Sequence, residues 1–319
     1  MKLENDCEMV RKGAISLQNI SYPKQQSVES NKKKGTKPNL LKWPGSKRQL
    51  LPEIIARLPF TWNTYYEPFV GGASVFFDLC KRELVTPSAV ISDSNADLIS
   101  LYTIVRESPE TVIACVSALA EEISEERYYL VRKLFNAERA APATQRAAWF
   151  LYLNHLAFNG LYRVNRKGEF NAPYCHPEKY GGGGSRKHTA AEIVRPDVVR
   201  EASAALSSAV IRHADFRTVL ETVKAGDFVY LDPPYWPRNV TSNFTAYAGT
   251  FGPEEQGALA GCAMDLEARG VQWMLSNSDV WSVRELYKRF RIETVMARRG
   301  INCKAGGRGK VAEVLVRNY

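Results

Sequence analysis

The chain predicts an α/β fold: a doubly wound sheet of seven strands, broken by one long helical insertion. Three observations carry that reading. From Leu40 onward, short apolar or β-branched runs alternate with amphipathic segments, the pattern of parallel strands joined by helical crossovers. Two of those runs end in an acid, Asp93 and Asp232, at the strand end where open α/β sheets bind their ligands. The alternation then lapses between Asp93 and Val210, a far longer gap than the roughly twelve residues a crossover needs.

Residues 1–37 are polar and close on Asn31-Lys-Lys-Lys-Gly-Thr-Lys37, which reads as a flexible basic arm. A helix is expected over Ser46–Leu58, then a strand over Tyr65–Val70 and a helix over Ser74–Lys81. A second strand, Ala89–Asp93, leads into a helix over Asn95–Arg106. The insertion reads as helices at Pro109–Glu122, Glu125–Ala140 and Ala143–Leu156, followed by a Gly-, Asn- and Arg-rich loop from Asn159 to Lys187. Strands resume at Val210–Asp215, Phe228–Asp232, Gln272–Ser276, Ile292–Ala297 and Glu313–Asn318, with helices at Glu254–Arg269 and Val280–Phe290. The expected organisation is a catalytic domain from residues 38–107 and 208–319, with residues 108–207 inserted as a helical second domain.

At 45% hydrophobic and 24% charged, the 319 residues are too apolar for a disordered chain. No apolar run approaches the roughly 18 residues of a membrane span, so no membrane partner is expected. The first thirty residues carry Lys2, Glu4, Asp6, Glu8, Arg11 and Lys12 with no apolar block behind them, which argues against a secretory signal and for a cytoplasmic chain. Net charge is +9, and the excess is concentrated: residues 1–47 hold ten Lys/Arg against four acids, and residues 284–317 hold ten against three. Separate basic segments suit a polyanion, nucleic acid first. Six cysteines stand singly, with no CxxC pair, and four histidines complete no ligand set, so reduced thiols and no metal are expected.

Two motifs carry chemistry. Tyr66-Glu-Pro-Phe-Val-Gly-Gly-Ala-Ser74 runs from a strand through a glycine turn into a helix, a turn that lets backbone approach a nucleotide-like ligand. Asp93 ends the next strand where an acid reaches ribose hydroxyls. In Val229-Tyr-Leu-Asp-Pro-Pro-Tyr235 two prolines end the ladder and turn the chain out at the carboxyl edge of the sheet. Asp232, the Pro233 carbonyl and the Tyr235 ring converge there: two acceptors and a stacking face, suited to a planar base with an exocyclic amino group.

With those motifs in their order, the chain resembles the amino-methyltransferases that use S-adenosyl-L-methionine, and within them the DNA adenine-N6 methyltransferases of the Dam group. The resemblance rests on Leu41-Lys-Trp-Pro-Gly-Ser-Lys47, Glu67-Pro-Phe-Val-Gly71, Asp97-Leu-Ile-Ser-Leu-Tyr102, Phe150-Leu-Tyr-Leu-Asn154, Asn159-Gly-Leu-Tyr-Arg163, Gly168-Glu-Phe-Asn171, Asp232-Pro-Pro-Tyr235 and Asn243-Phe-Thr-Ala-Tyr247. It implies a Rossmann-like methyltransferase sheet, an inserted target-recognition domain, and a bacterial or phage enzyme acting as a monomer on double-stranded DNA, at GATC, without a metal. It implies a cofactor site of Trp43, Lys47, Phe69, Gly71, Ser74, Asp93, Asp215, Phe216 and Asp232, and a catalytic motif of Asp232, Pro233, Pro234 and Tyr235. It implies that Lys42 reads the first guanine, Phe158 wedges between base pairs and Asn159 meets the orphaned base. Leu161, Arg163 and Pro173 would read the third base pair, and Asn165 would contact a phosphate.

Some positions depart from the pattern. Ala73 stands where a second glycine is frequent, which a turn with φ below zero tolerates. Phe158 keeps the ring of a tyrosine and loses its hydroxyl, while Gly181–Gly184 and Ser185-Arg-Lys187 look like extra loop. The polar loop Trp236–Phe251 is expected to close over the base. Arg163, in a loop without apolar periodicity, is expected to be solvated, bound to phosphate or bound to a base edge. Two alternatives compete with this reading: a related enzyme acting on cytosine N4 or on an RNA or protein amide, and a DNA-binding module with an inactive core.

Overall fold

A computed structural model describes residues 40–85, 88–176, 188–238, 251–298 and 310–319. The basic arm, the Gly181–Gly184 run with Ser185-Arg-Lys187, the Asn243–Tyr247 segment and most of the Trp236–Phe251 loop lie outside the described residues. In chain order the elements are α1 (Leu51–Ile55), β1 (Thr64–Glu67), α2 (Ser74–Lys81), β2 (Ser88–Asp93) and α3 (Ala96–Glu107). The insertion gives α4 (Pro109–Ala120), α5 (Glu125–Ala137), α6 (Ala143–Leu156), α7 (Ala190–Ile193) and α8 (Pro196–Leu206). Then follow β3 (Ala209–His213), α9 (Phe216–Glu221), β4 (Phe228–Leu231), α10 (Pro253–Ala268), β5 (Gln272–Ser278), α11 (Trp281–Leu286), β6 (Arg291–Arg298) and β7 (Lys310–Arg317).

Local chemistry sets most of these limits. Lys47–Gln49 is a 3₁₀ turn and α1 starts afresh at Leu51, because Pro52 has no N–H to continue one helix from Ser46. Pro68 stops β1 at Glu67, and the Pro233-Pro234 pair stops β4 at Leu231. Asn95 caps α3 by accepting from Leu98 N, and Ser124 caps α5 by accepting from Arg127 N.

The strands form one sheet in the order β3-β2-β1-β4-β5-β7-β6. β1 to β5 pair in parallel, with Tyr66 opposite both Val90 and Val229. β7 pairs antiparallel with both β5 and β6, so the sheet is mixed where strand–helix alternation predicts a parallel one. Helices between strands specify crossovers, whereas β6 returns to β7 without a helix among the described residues, and a strand pair joined that way need not run parallel. Strand alternation sorts the core into two layers. Tyr65, Ile91, Phe228, Tyr230 and Met274 lie on one face; Tyr66, Val90, Val229, Leu231 and Trp273 lie on the other. The first layer continues without a break into the insertion through Val112, Tyr128, Phe150, Leu153 and Phe170.

A clasp joins the segment ahead of α1 to α6. The Asn154 side chain accepts from Lys42 N at 2.8 Å and donates to Lys42 O at 2.8 Å and Gly160 O at 3.1 Å. Gly160 sits at φ +63, and a Cβ there would lie 2.2 Å from Lys42 Cβ. Gly160→Ala is therefore expected to lower stability by about 2–5 kcal/mol, from left-handed strain plus overpacking. A shift in the urea midpoint checks this; an unchanged midpoint removes the clasp from the account.

Candidate active site

The carboxyl ends of β1, β4 and β5 converge on one largely desolvated ion pair. Lys47 Nζ lies 2.9 Å from Asp232 Oδ1, with only 6% of the lysine side chain exposed. Ser276 Oγ donates to the same Oδ1 at 2.9 Å, and Tyr230 OH donates in turn to Ser276. Burial raises the Asp232 carboxyl above its ordinary range, while the Lys47 ammonium pulls it back. Lys47 also donates to Gly45 O at 2.5 Å and lies 4.4 Å from the centre of the Tyr235 ring. Its backbone N–H is held by Ser74 Oγ at 3.0 Å, so Ser74 positions the lysine.

The turn after Asp232 is fixed at several points. Gln256 Nε2 donates to Pro234 O at 2.8 Å, Trp236 N donates to Asn277 Oδ1 at 2.9 Å, and Tyr235 OH donates to Glu313 Oε2 at 2.7 Å. Pro233 is buried beside them. The other motif lies against this turn. Glu67 at the end of β1 is 2% exposed and accepts from Tyr65 OH at 2.7 Å and from Phe76 N at 3.0 Å. Burial pushes its carboxyl up to about 8, with the Asp232 charge adding to the rise.

Gly71, at φ +44, and Gly72 make room for Trp43: a Cβ on either would fall within 2.9 Å of its side chain. Gly71 N donates to Asp93 Oδ2 at 3.0 Å, Asn95 N to Asp93 Oδ1 at 3.0 Å, and Tyr102 OH to Gly71 O at 2.6 Å. Burial raises the Asp93 carboxyl to about 6, against those backbone donors. Ala73, however, adopts φ +53, in the left-handed region and not at the negative φ expected of it. Ala73 closes the tight turn that begins at Val70, donating from its N to Val70 O at 2.7 Å, and the left-handed conformation costs an alanine about 1–2 kcal/mol.

Phe69, Phe216 and Phe251 pack as an aromatic cluster, with Phe69 and Phe216 ring centres 5.2 Å apart. Beside them, Asp215 caps α9 by accepting from Arg217 N and pairs with the Arg217 guanidinium at 3.2 Å. Trp43 stacks on Tyr162 at 5.7 Å, Tyr162 stacks on Phe150, and Tyr162 OH donates to Asp97. The expected cofactor residues thus gather along the carboxyl edge, and Trp43 bridges that edge to the insertion.

The expected DNA readers form a separate group after α6. Lys42 is exposed, and its Nζ donates to His155 O at 2.7 Å. Phe158 and Asn159 lie in a tight turn, with Asn159 exposed at φ +54, a conformation asparagine tolerates. Phe158 N donates to Pro173 O, and Leu161 packs partly buried on the core. Arg163 takes a role its sequence context does not suggest: it clasps Asn171, donating from Nε to Oδ1 at 2.7 Å and from Nη2 to the backbone carbonyl at 3.0 Å. Asn165 braces the adjoining turn, accepting from Lys167 N and Glu169 N and donating to the Glu169 carboxylate.

Glu67, Gln256, Ser276, Asn277 and Glu313 are members of this site that motif reading does not select. Ser276 and Asn277 end a strand at the ligand edge, the signal that singles out Asp93 and Asp232. Glu313 needs the antiparallel register that sets it opposite Ser278, and Gln256 carries no local signal. Among the described residues no cluster of His, Cys, Asp or Glu is placed to hold a metal, and no helix is long and apolar enough to cross a membrane.

An α/β sheet with this strand order, a glycine turn after β1 and an Asp-Pro-Pro-Tyr turn after β4 define the class: an amino-methyltransferase fold. Comparison with known proteins narrows it. Residues 43–301 match the family described as D12 class N6 adenine-specific DNA methyltransferase, and the chain belongs to that family. It is 38% identical to the Type II methyltransferase M1.LlaDCHI of Lactococcus lactis subsp. cremoris, over 87% of this chain and 94% of that one. It is 39% identical to the Type II methyltransferase M.MjaIII of Methanocaldococcus jannaschii, over 88% and 98%. It is 36% identical to the DNA adenine methylase of Escherichia coli strain K12, over 86% and 93%.

The buried Glu67 gives a pH signature. Its carboxyl keeps a proton in the fold well above the ordinary value of 4.5, so its contribution to stability is full below that value and is lost as pH rises toward about 8. Unfolding free energies of wild type and Glu67→Gln, measured from pH 4.5 to 8, should diverge steadily in favour of the glutamine variant. Parallel curves would mean that Glu67 is ionised in the fold.

Proposed function

We propose that the protein transfers a methyl group from S-adenosyl-L-methionine to N6 of an adenine rotated out of double-stranded DNA, within GATC. The observation that carries this reading is the Asp232 carboxylate, held by Lys47 and Ser276 at the end of β4 beside the Pro233 carbonyl and the Tyr235 ring. The amino lone pair of adenine is conjugated into its ring, so the base must leave the helix and be held. Both fixed contacts of Asp232 fall on Oδ1, which supports a reading in which Oδ2 accepts one amino hydrogen and the Pro233 carbonyl the other. Two such acceptors favour a pyramidal nitrogen and stabilise the positive charge that develops on it. Tyr235 holds the plane of the base, and Asp232 is the nearest base for the proton the amino group sheds.

The residues present fit the methyl donor. Asp232 and Glu313 stand against the single ammonium of Lys47, while Glu67 keeps its proton, and that small surplus of negative charge suits a cationic ligand. Asp93 reaches ribose hydroxyls, the Gly71-Gly72 turn and Trp43 line the pocket, and Phe69, Asp215 and Phe216 border the adenine. When bound, S-adenosyl-L-methionine supplies an electrophilic methyl on sulfur and leaves as S-adenosyl-L-homocysteine. On the DNA side, Lys42, Leu161, Arg163 and Pro173 read bases, Phe158 wedges, Asn159 meets the orphaned partner, and Asn165 contacts a phosphate. Residues 108–207 are the target-recognition domain in this reading.

Two experiments test it. Asp232→Ala should abolish transfer while DNA binding survives on phosphate contacts; retention of more than about a few per cent of the wild-type rate would remove Asp232 from the chemistry. Arg163→Ala should lower the rate on GATC and spare duplexes altered at the third pair, a discrimination of about 1–3 kcal/mol. Asn171→Ala, which opens the same clasp and keeps the guanidinium, separates reading from loop support. An equal fall on every duplex for Arg163→Ala would make it a support alone.

A further inference from the structure

We propose that Gln256 and Asn277 form a directional polar relay that sets the backbone of Tyr235, and so act as positioning residues for the transfer; the inference rests on the stacking role given to Tyr235 above. The relay has three links. Trp236 N donates to Asn277 Oδ1 at 2.9 Å, Asn277 Nδ2 donates to Gln256 Oε1 at 3.1 Å, and Gln256 Nε2 donates to Pro234 O at 2.8 Å. Its two ends are backbone groups with fixed roles, an N–H that only donates and a carbonyl that accepts. Both side-chain amides are thereby forced into one orientation.

The ends are also the peptide groups on either side of Tyr235. The Pro234 carbonyl belongs to the unit before its Cα, and the Trp236 N–H to the unit after it. Each unit is planar, so holding both fixes φ and ψ of Tyr235. The far end of the side chain is held as well, by Glu313 at 2.7 Å from the hydroxyl. Gln256 is 1% exposed and Asn277 is fully buried, so water does not compete with the relay. The links come from β5 and the first turn of α10, two elements that pack on each other independently of the motif. The Tyr235 ring is therefore a platform fixed before any base arrives.

Asn277→Leu and Gln256→Met keep roughly the same volume and carry no amide, so each removes the two links its side chain makes. Both variants should lose kcat on a GATC duplex by about tenfold or more, since small misplacements of a reacting group cost up to about 10²-fold. Dissociation constants for S-adenosyl-L-methionine and for the duplex should stay within about twofold, and combination with Tyr235→Ala should add little to the loss of that variant, as residues acting through one group are non-additive. A kcat within about twofold of wild type, or the full loss repeated on the Tyr235→Ala background, overturns the proposal. Hydrogen exchange on the wild-type protein supplies a readout that needs no variant: the Trp236 amide should be protected like the amides of β5, and fast exchange there overturns the relay. Failure of the wild type to methylate the duplex would instead overturn the enzymatic reading, while the exchange result still decides the relay.

Discussion

The ion pair between Lys47 and Asp232 sits where three strand ends and the segment ahead of α1 meet, and its geometry constrains the groups around it. Removing Asp232 would leave the buried Lys47 ammonium charged and without its carboxylate, a costly state even though Asp232 itself keeps some contact with solvent. The pair is accordingly braced at three points: Ser74 holds the lysine backbone, Gly45 O accepts a hydrogen bond from the ammonium, and Ser276 donates to Oδ1. The Lys47 and Ser276 contacts both fall on Oδ1 and leave Oδ2 of the carboxylate to other partners. A group held this firmly can meet a developing charge without reorganising, which is where electrostatic catalysis draws its advantage over water.

The insertion is bound into this arrangement by more than its chain connections. Asn154 on α6 grips Lys42, one residue from Trp43; Trp43 fills the space over Gly71 and Gly72 and stacks on Tyr162; and Tyr162 and Arg146 both bond Asp97 on α3. The segment carrying Lys42, Trp43 and Lys47 therefore touches both the loop after α6 and the turn after β1. Burial pushes His155 down to about 3, so the residue whose carbonyl receives Lys42 stays neutral at physiological pH.

Much of this was legible because local physics dictates it. Short apolar and β-branched runs mark the strands, Pro68 and Pro233-Pro234 mark where two of them stop, and the acids Asp93 and Asp232 mark the ligand edge. What escaped reading depends on partners remote in sequence. The reversal of β7 is absent from its apolar pattern, which is the same for either direction, and with it went Glu313. The left-handed backbone of Ala73, by contrast, belongs to the tight turn from Val70 to Ala73, whose dihedrals an alanine does not signal. Arg163 looked like a surface cation because its neighbours are polar, yet Asn171 lies opposite it across a turn that Asn165 closes. Gln256 and Asn277 gain meaning only when α10 and β5 are set beside the turn after β4.

Where the methyl group lands tests the role of Asp232 and Pro233 most directly. After incubation of the protein with S-adenosyl-L-methionine and a duplex containing one GATC site, the DNA is digested to nucleosides and separated by mass and retention. The acceptor geometry at Asp232 and Pro233 predicts N6-methyladenine as the product, and none from a duplex whose target adenine is replaced by purine lacking the exocyclic amino group. Methyl on cytosine N4, on a ring nitrogen of adenine, or on no base at all would contradict it.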